Sequence, residues 1–491
     1  MKQGQSAEDK QTSTLLQELQ HYMRTGLNYA QEKVGDNEQQ STSDATSKTK
    51  ATVHSIRRIT GEFLPFSFNE TTMEIQEGDK HWISTTECMR RLLYHSVAFG
   101  ADGLYGSQVL ATPEARHAFF KKSSRDCEAV VESLGWDIAR DRLFLVLANL
   151  EKPSNGKELL MLNFKDLMFT APSGSVTPEA MEGLYEQLMQ GIDISMSDDL
   201  GDSALEEQRR ANLLKALCEY IIQEARFTHP LVKAITAYLF ITLLKPFPLA
   251  NLPMARLVYT WVCFEQGLSL LSALPIVEFE SNWRKGVVAK GEYKPRIDYL
   301  DAIVSCNYTQ DWTCHYEEIL GFLFHELQGF RNKLIRLHLR RKRLYSIMRE
   351  DASINARQVD ILVEALVHED AEFFYAHHME HYGVGYATAY EDLANLKKRG
   401  FLLEKRKGKQ AFFCANEGIR KLIHEHLSSA VPEVYARYYD KHGNLLASQA
   451  EAQGKILPNG EVSFGKRILV EYAAPSFEPD RAMILKDEFS Y

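Results

Sequence analysis

Three polar side chains stand close together around a break between two apolar stretches of the sequence. Lys245, Asn251 and Arg256 offer an amine, an amide and a guanidinium, and three prolines lie among them. An asparagine shortly before a proline is typical of a helix start, so Asn251 is predicted as an N-cap. Arg256, one turn later, is predicted either to bind an anion at the helix start or to be a satisfied buried arginine. Lys245 is predicted either to be a desolvated nucleophile or to be a favourable charge at a helix C-terminus.

A second set of polar residues lies between positions 354 and 415, where the pattern predicts three short helices followed by two strands around a basic turn. This order is typical of a winged helix-turn-helix, in which the third helix enters the major groove of DNA and the wing contacts the backbone. The acidic Glu391 and Asp392 favour the other interpretation, a module that only packs or binds protein. The candidate DNA-binding residues are Thr388, Tyr390, Lys397, Lys398, Lys405, Arg406, Lys407 and Lys409.

The elements that would position these residues are mostly helices. Residues 213–225 and 229–244 are apolar on all sides, which predicts two helices at the centre of a bundle. Before them, Thr177 is predicted to cap a helix that has Pro178 in its first turn. Residues 321–351 predict one long helix whose second half is basic. That helix is interpreted either as a solvated connection or as a phosphate-contacting helix beside DNA.

Composition limits the class of protein. The 491 residues predict two to four structural units, and 45% hydrophobic with 25% charged residues is ordinary for globular proteins. A net charge of -9 disfavours a chain-wide nucleic-acid surface but leaves room for a local basic face. Neither a membrane span nor a secretory signal is evident, and we expect a cytoplasmic protein without a membrane partner. Seven dispersed cysteines predict reduced thiols rather than a zinc site.

Residues 226–261 resemble the central region of the Fic (Fido) family, whose signature HPFx[D/E]GNGRxxR lies between two buried helices. His229 and Pro230 match the family's lead-in, and a winged helix after the core is common in that family. The resemblance covers roughly residues 150–415. It implies a mainly α fold with a Fic-like bundle, a following winged helix and a β-rich tail. The predicted divisions are an N-terminal helix and linker (1–55), a helical region (56–150), a Fic-like core (151–330), a basic connecting helix (331–350), a winged helix-turn-helix (351–428) and a β-rich tail (429–491).

The signature is degenerate at the positions that carry the family's chemistry. Lys245 stands where the family has its catalytic histidine, and an amine with an ordinary pKa of about 10.4 is charged at neutral pH. Leu249 replaces the magnesium-binding carboxylate. Ala250 and Leu252 replace the two glycines, and Pro253 replaces the first arginine. The acidic loop 191–208 corresponds to the family's target-docking flap.

These departures lead to a ranked set of functional hypotheses. The first is a catalytically inactive Fic-like protein that acts as a DNA-binding regulator or scaffold through its winged helix. The alternatives are a nucleotidyl (AMP) transferase, or an enzyme with altered chemistry that uses the degenerate pocket, and a protein-interaction module that does not bind DNA. ATP is the candidate ligand, through Asn251 and Arg256, and the resemblance implies no other cofactor. DNA and a protein are the candidate partners.

Overall fold

The computed structural model divides the chain into two compact units. The first comprises residues 1–106 and 119–331, and the second comprises residues 107–118 and 332–491. The protein is mainly helical, as the sequence predicted. The structure describes residues 16–17, 20–21, 23–26, 44–69, 74–77, 81–100, 113–170, 174–192, 207–222, 228–288, 292–367, 371–407, 410–440, 446, 455–456, 462–464 and 467–469. Most of the predicted flap, residues 193–206, and most of the predicted N-terminal helix lie outside them.

Helices dominate the chain as far as the boundary at Arg331, which falls within α13. Two small antiparallel sheets pair β1 with β4 and β2 with β3. The strands are β1 (Glu62–Phe63), β2 (Phe66–Asn69), β3 (Glu74–Glu77) and β4 (Trp82–Ile83). The helices are α1 (Asp44–Thr60), α2 (Glu87–Gly100), α3 (Pro113–Ser133), α4 (Arg140–Leu147), α5 (Gly156–Phe169), α6 (Pro178–Leu188), α7 (Glu207–Ile222), α8 (Pro230–Leu244), α9 (Asn251–Glu265), α10 (Ser269–Ser272), α11 (Ile276–Lys285), α12 (Tyr299–Thr309) and α13 (Thr313–Met348).

The core of the first unit is built around α8 and α9, which pack against each other and are joined by residues 245–250. Both helices bury apolar side chains around most of their circumference, for example Ile235 and Leu239 on α8 and Val258 on α9. Each such side chain stabilises the fold by roughly 1.5–3 kcal/mol relative to an exposed position. The prediction of central, fully apolar helices is therefore confirmed for α8.

Helix starts in this unit are set by side-chain caps. The Thr177 hydroxyl accepts the N–H of Ala180 at 3.2 Å, with Pro178 in the first turn of α6, as predicted. His229 caps α8 in the same way, because its Nδ1 accepts the N–H of Leu231 at 3.1 Å.

Two expectations for this unit need correction. Residues 35–52 were predicted as a polar linker, but α1 begins at Asp44. A buried ion pair between Arg57 of α1 and Asp311 (Nη2 to Oδ2, 2.6 Å) anchors the helix, a contact that local composition does not reveal. The long basic helix was expected from residue 321, whereas α13 begins at Thr313.

The second unit carries the remaining elements. Three strands form an antiparallel sheet in the order β5-β7-β6, with a helix before β5 and two helices between β5 and β6. The elements are α14 (Ala356–Val367), β5 (Glu372–Phe373), α15 (Tyr375–Tyr382), α16 (Tyr386–Lys398), β6 (Leu402–Lys407), β7 (Gln410–Ala415), α17 (Ile419–Ala430), α18 (Pro432–Tyr435), β8 (Lys455–Ile456), β9 (Val462–Phe464) and β10 (Arg467–Leu469).

The second unit has its own apolar core, which includes Leu362, Leu393 and Phe413. The three predicted helices and two strands of residues 354–415 are present, but β5 was missed because its two residues were assigned to the following helix. The tail was expected to be β-rich from residue 429, and it begins instead with α18 before the sheet β8–β10. Among the described residues, none of the helices is both long and apolar enough to cross a membrane.

Candidate functional site

The loop between α8 and α9 is closed by one asparagine. The Asn251 side chain accepts the N–H of Phe247 at 2.8 Å and donates to the carbonyl of the same residue at 2.7 Å. The N-cap position of α9 is Ala250, not Asn251 as predicted. Asn251 holds the loop backbone instead of the helix start.

The stretch 246–248 of this loop offers no free backbone N–H to a phosphate. A phosphate nest needs successive backbone N–H groups that point at one ligand. Pro246 and Pro248 have none, and the N–H of Phe247 is bonded to Asn251. The Phe247 ring is 1% exposed and stacks on Tyr185 with centroids 4.9 Å apart, so apolar contacts fill the space behind it.

Lys245 ends α8 in a left-handed conformation with φ 46°. Its side chain is exposed, so the burial by Phe247 and Leu249 that a nucleophilic amine requires is not found. The hypothesis of a desolvated lysine nucleophile is corrected accordingly. The position after the last turn of α8 suits a cation, because the helix dipole is negative there.

Arg256 lies on α9 with its guanidinium fully buried. Its Nε donates to Asp126 of α3, its Nη1 to Thr260, and its Nη2 to the carbonyls of Ser272 (2.7 Å) and Leu274 (3.2 Å). This is the arrangement of a satisfied buried arginine, the second of the two interpretations. Nucleotide binding by Asn251 and Arg256 stays a prediction.

The other oxygen of Asp126 completes the cluster. It accepts the N–H groups of Val277 and Glu278 at 3.0 and 3.1 Å, and these are unpaired donors of the first turn of α11. Burial raises the pKa of the Asp126 carboxyl, while Arg256 and the two backbone groups oppose that rise. Arg256 thus joins α3, α9 and the start of α11.

In the second unit, α16 exposes an aromatic surface. Tyr386 is 59% and Tyr390 52% exposed, and the Tyr390 ring stacks on Tyr375 of α15 with centroids 5.8 Å apart. Thr388 on the same helix is half-buried. We call Tyr375, Tyr386 and Tyr390 the tyrosine surface.

Asp392 faces the opposite way and is 2% exposed. Its carboxylate accepts from Asn355 (2.6 Å), from Nε of Arg357 (2.6 Å) and from His378 (2.9 Å), so residues before and within α14 and on α15 all bind α16 through it. The hydrogen bonds from Arg357, His378 and Asn355 outweigh burial and lower the pKa of Asp392. This acidic residue therefore does not face a ligand at the surface, although the sequence analysis counted it against DNA binding.

The predicted basic residues differ in their surroundings. Lys398, Lys405 and Arg406 are exposed. Lys397 is exposed as well, but its Nζ lies 2.5 Å from Glu404 of β6, and that contact lowers the pKa of the Glu404 carboxyl. For Lys407 only the backbone pairing with Gln410 is described. Lys409 lies outside the described residues, as do the side chains of the basic stretch 340–343 in α13.

Sequence reasoning missed Tyr386, Asp126 and the orientation of Asp392. Tyr386 and Tyr390 are four residues apart, a spacing that places both on one face of the predicted helix. Asp392 shares a helical face with Ala389, Leu393 and Leu396, which signals an inward direction. For Asp126 no local pattern indicates a partner 130 positions away.

Comparisons with known proteins give one limited result. No protein-family model matches the chain, and no curated protein matches it. Among solved structures, the chain is similar to the crystal structure of a Fic family protein from Desulfovibrio desulfuricans G20, with 16% sequence identity, 67% of this chain and 96% of that chain covered, and a TM-score of 0.40. A TM-score this low carries no argument about function.

Proposed function

We propose that this protein is a DNA-binding regulator whose second unit is a winged helix and whose first unit is a Fic-like scaffold that does not transfer nucleotides. The observation that carries the proposal is the outer face of α16, which exposes two tyrosines and Lys398 while its Asp392 is turned inward and neutralised. Without Asp392 at the surface, the described carboxylate exposed on this helix is Glu391.

The order of elements in the second unit supports the winged-helix part. A helix, a short strand, two helices and a hairpin, with the sheet order β5-β7-β6, follow one another from α14 to β7. In a winged helix-turn-helix, α16 would be the helix that enters the major groove, and the turn between β6 and β7 would be the wing. Lys405 and Arg406 on β6 are exposed and would meet phosphates.

The test is the salt dependence of DNA binding by the full chain, measured by fluorescence anisotropy with a labelled duplex. We expect binding that weakens as salt rises, and a loss of at least about tenfold in the Lys405→Ala/Arg406→Ala variant. The slope of log K against log salt should fall by about two, because two phosphate contacts are removed.

Lys215→Ala is the matched control, since Lys215 is exposed on α7 of the first unit. It should leave affinity and slope unchanged. Absence of salt-sensitive binding, or equal losses in the control and the double variant, would refute DNA binding through this surface.

The closed loop supports the scaffold part. The base position carries the exposed Lys245, the metal-carboxylate position carries the buried Leu249, and the backbone of 246–248 has no unbonded N–H. Incubation with labelled ATP and magnesium should leave both this chain and added protein substrates unlabelled. Transfer of label would favour the nucleotidyl transferase instead, and calorimetry with ATP on wild type and Arg256→Ala would then show whether the old pocket binds nucleotide.

A second candidate function is protein binding, and the tyrosine surface favours it. Exposed tyrosines are enriched at the centres of protein interfaces. If DNA binding fails, a Tyr386→Ser/Tyr390→Ser variant that loses a partner retained by the Lys405→Ala/Arg406→Ala variant would support this function.

A further inference from the structure

Two cysteines meet in the core of the first unit, at the junction of α12 and α13. The sulfur of Cys306, in the last turn of α12, lies 3.7 Å from the sulfur of Cys314, in the first turn of α13. Both are free thiols, Cys306 fully buried and Cys314 2% exposed. The two sulfur atoms are therefore in direct van der Waals contact inside the protein.

The position of the two sulfurs suits a disulfide. A disulfide bond is about 2.05 Å long, so the sulfurs have to approach each other by about 1.7 Å. Rotation of the two side chains can supply a movement of this size. The turn between the helices is anchored, because the Asp311 carboxylate accepts from Arg57 (2.6 Å) and from the N–H of Thr313 (3.0 Å). Two sulfurs in contact on anchored helix ends are the starting geometry for a disulfide.

The surroundings of the sulfurs control their ionisation, and only a thiolate attacks an oxidant. Burial raises the pKa of Cys306, and the nearby Cys314 and Asp311 raise it further. The backbone N–H of His315 donates to the Cys306 sulfur from the first turn of α13 and opposes that rise. The pair is therefore kept as thiols while it is buried, and it gains reactivity when water reaches it.

The segment 23–26 lies against the start of α13. A Cβ atom on Gly26 would stand 2.6 Å from the backbone nitrogen of Cys314 and 2.9 Å from the carbonyl carbon of Thr313, so only glycine fits there. Glu317, one turn along α13, holds the segment by accepting the hydroxyl of Thr25 and the N–H of Gly26 (2.9 Å). The segment therefore covers α13 at Cys314.

We propose that Cys306 and Cys314 are a redox-sensitive dithiol, which hydrogen peroxide closes into an intramolecular disulfide. The Cys314 thiolate attacks the peroxide, so that an S–O bond forms, the O–O bond breaks and hydroxide leaves as water after taking up a thiol proton. The Cys306 thiolate then attacks the Cys314 sulfur, so that the S–S bond forms, the S–O bond breaks and a second water leaves. Two thiols thus lose two electrons and two protons, and one peroxide becomes two waters. The reaction does not depend on the DNA binding proposed above.

The test is treatment of the reduced full chain with millimolar hydrogen peroxide, followed by alkylation of the remaining thiols under denaturing conditions and digestion with trypsin. No lysine or arginine lies between Arg296 and Arg331, so one peptide, 297–331, contains both cysteines. We expect this peptide without alkyl groups and lighter by two hydrogen atoms. Dithiothreitol, added before alkylation, should restore both thiols by exchange. A peptide with both thiols alkylated, or with sulfinic acid in place of the disulfide, would overturn the proposal.

Two matched variants assign the bond to this pair. Cys306→Ala should abolish the disulfide and let Cys314 pass on to sulfinic acid, because the thiol that would trap the sulfenic acid is gone. Cys263→Ala removes an equally buried thiol on α9 and should leave the disulfide in place. A disulfide between Cys314 and another cysteine in Cys306→Ala, or loss of the bond in Cys263→Ala, would contradict the assignment.

Gly26→Ala tests the cover. The added methyl group clashes with the backbone at Cys314 and should displace the segment, so the disulfide should form at least about fivefold faster. Gly183→Ala should keep the wild-type rate, because a Cβ at Gly183 meets no atom within 4 Å.

Alkylation of the buried Cys127 in the native protein separates local opening from general instability. In Gly26→Ala this alkylation should stay as slow as in wild type, whereas a general loss of stability would accelerate it together with the disulfide. An unchanged rate of disulfide formation in Gly26→Ala, or an equal acceleration at Cys127, would refute the role of the segment as a cover.

Discussion

Ala250 adopts a left-handed backbone conformation, with φ 57° and ψ 34°, at the position where the resembled signature has glycine. A left-handed conformation costs a non-glycine residue roughly 1–2 kcal/mol, since the Cβ crowds the backbone. Glycine would adopt this conformation without strain.

Because the backbone at Ala250 is strained, replacing this residue by glycine should cost little stability. The free energy of unfolding of Ala250→Gly should lie within about 0.5 kcal/mol of the wild-type value. Relief of the backbone strain stabilises the variant, whereas the greater flexibility of glycine in the unfolded chain and the loss of a buried methyl group destabilise it by a similar amount. Ala255→Gly within α9, also buried but in ordinary helical conformation, should lower the free energy of unfolding by about 1 kcal/mol or more. Urea unfolding of both variants measures the difference, and equal losses would show that no strain is stored at Ala250.

Arg256→Met should destabilise the first unit by roughly 3–5 kcal/mol, because it leaves the carboxylate of Asp126 buried without a cation. Adding Asp126→Asn should recover part of the loss, since asparagine still accepts the N–H groups that begin α11 and carries no charge. Chemical denaturation of the single and double variants measures this coupling. A single variant with near-normal stability would mean that the guanidinium serves a ligand rather than the fold.

At the residue scale, the sequence indicated which residues are important but not which partners they bind. Asn251 and Arg256 are both structural centres of the first unit, but the N-cap assigned to Asn251 is wrong and the partner of Arg256 was not foreseen. Residue type and spacing report local preferences. A hydrogen bond across the loop, or to a helix more than a hundred residues away, depends on packing that those preferences do not contain.

At the scale of elements, α8 depends on a cap that is sensitive to pH. His229 accepts the N–H of Leu231 through Nδ1, and a protonated Nδ1 has no lone pair to accept it. Burial lowers the pKa of His229 from 6.5 to about 4, so the unfolded chain binds a proton in this range while the folded chain does not. The stability that the neutral cap contributes is therefore present above pH 6.5 and is lost as pH falls toward 4.

His229→Asn should remove this dependence while keeping a good cap. Between about pH 7 and about pH 5, wild type should lose on the order of 2 kcal/mol more stability than the variant. Urea unfolding at the two pH values measures this difference in lost stability. The titration of groups that both proteins share, such as the buried His315, contributes equally to both and cancels in the comparison. Parallel losses in wild type and variant would show that the cap is not the titrating element.

Helices could be predicted from the sequence where a local signal, such as the spacing of apolar residues or a capping residue, was clear. The apolar circumference of α8 and the Thr177 cap of α6 are local signals, and both are confirmed. The two-residue strand β5 was not predictable, because it is defined by its pairing with β7 rather than by its own pattern. The last turn of α1 is held by the distant Asp311 through its ion pair with Arg57, which no local pattern reveals.

At the scale of the whole molecule, the chain divides into two units that each have their own apolar core. Length alone predicted two to four structural units, and the division at Arg331 within α13 lies at the start of the predicted basic connecting helix (331–350). Separate cores favour separate unfolding transitions. Two helices, α3 and α13, run across the boundary between the units and would couple them.

Calorimetry of the full chain should therefore show two unfolding transitions, each sensitive to its own core. Leu362→Ala removes a fully buried side chain from the second unit and Leu239→Ala one from the first, and each should cost roughly 2–5 kcal/mol in its own unit. Each variant should lower the midpoint of one transition and leave the other in place. One transition that both variants lower would mean that the two units unfold together.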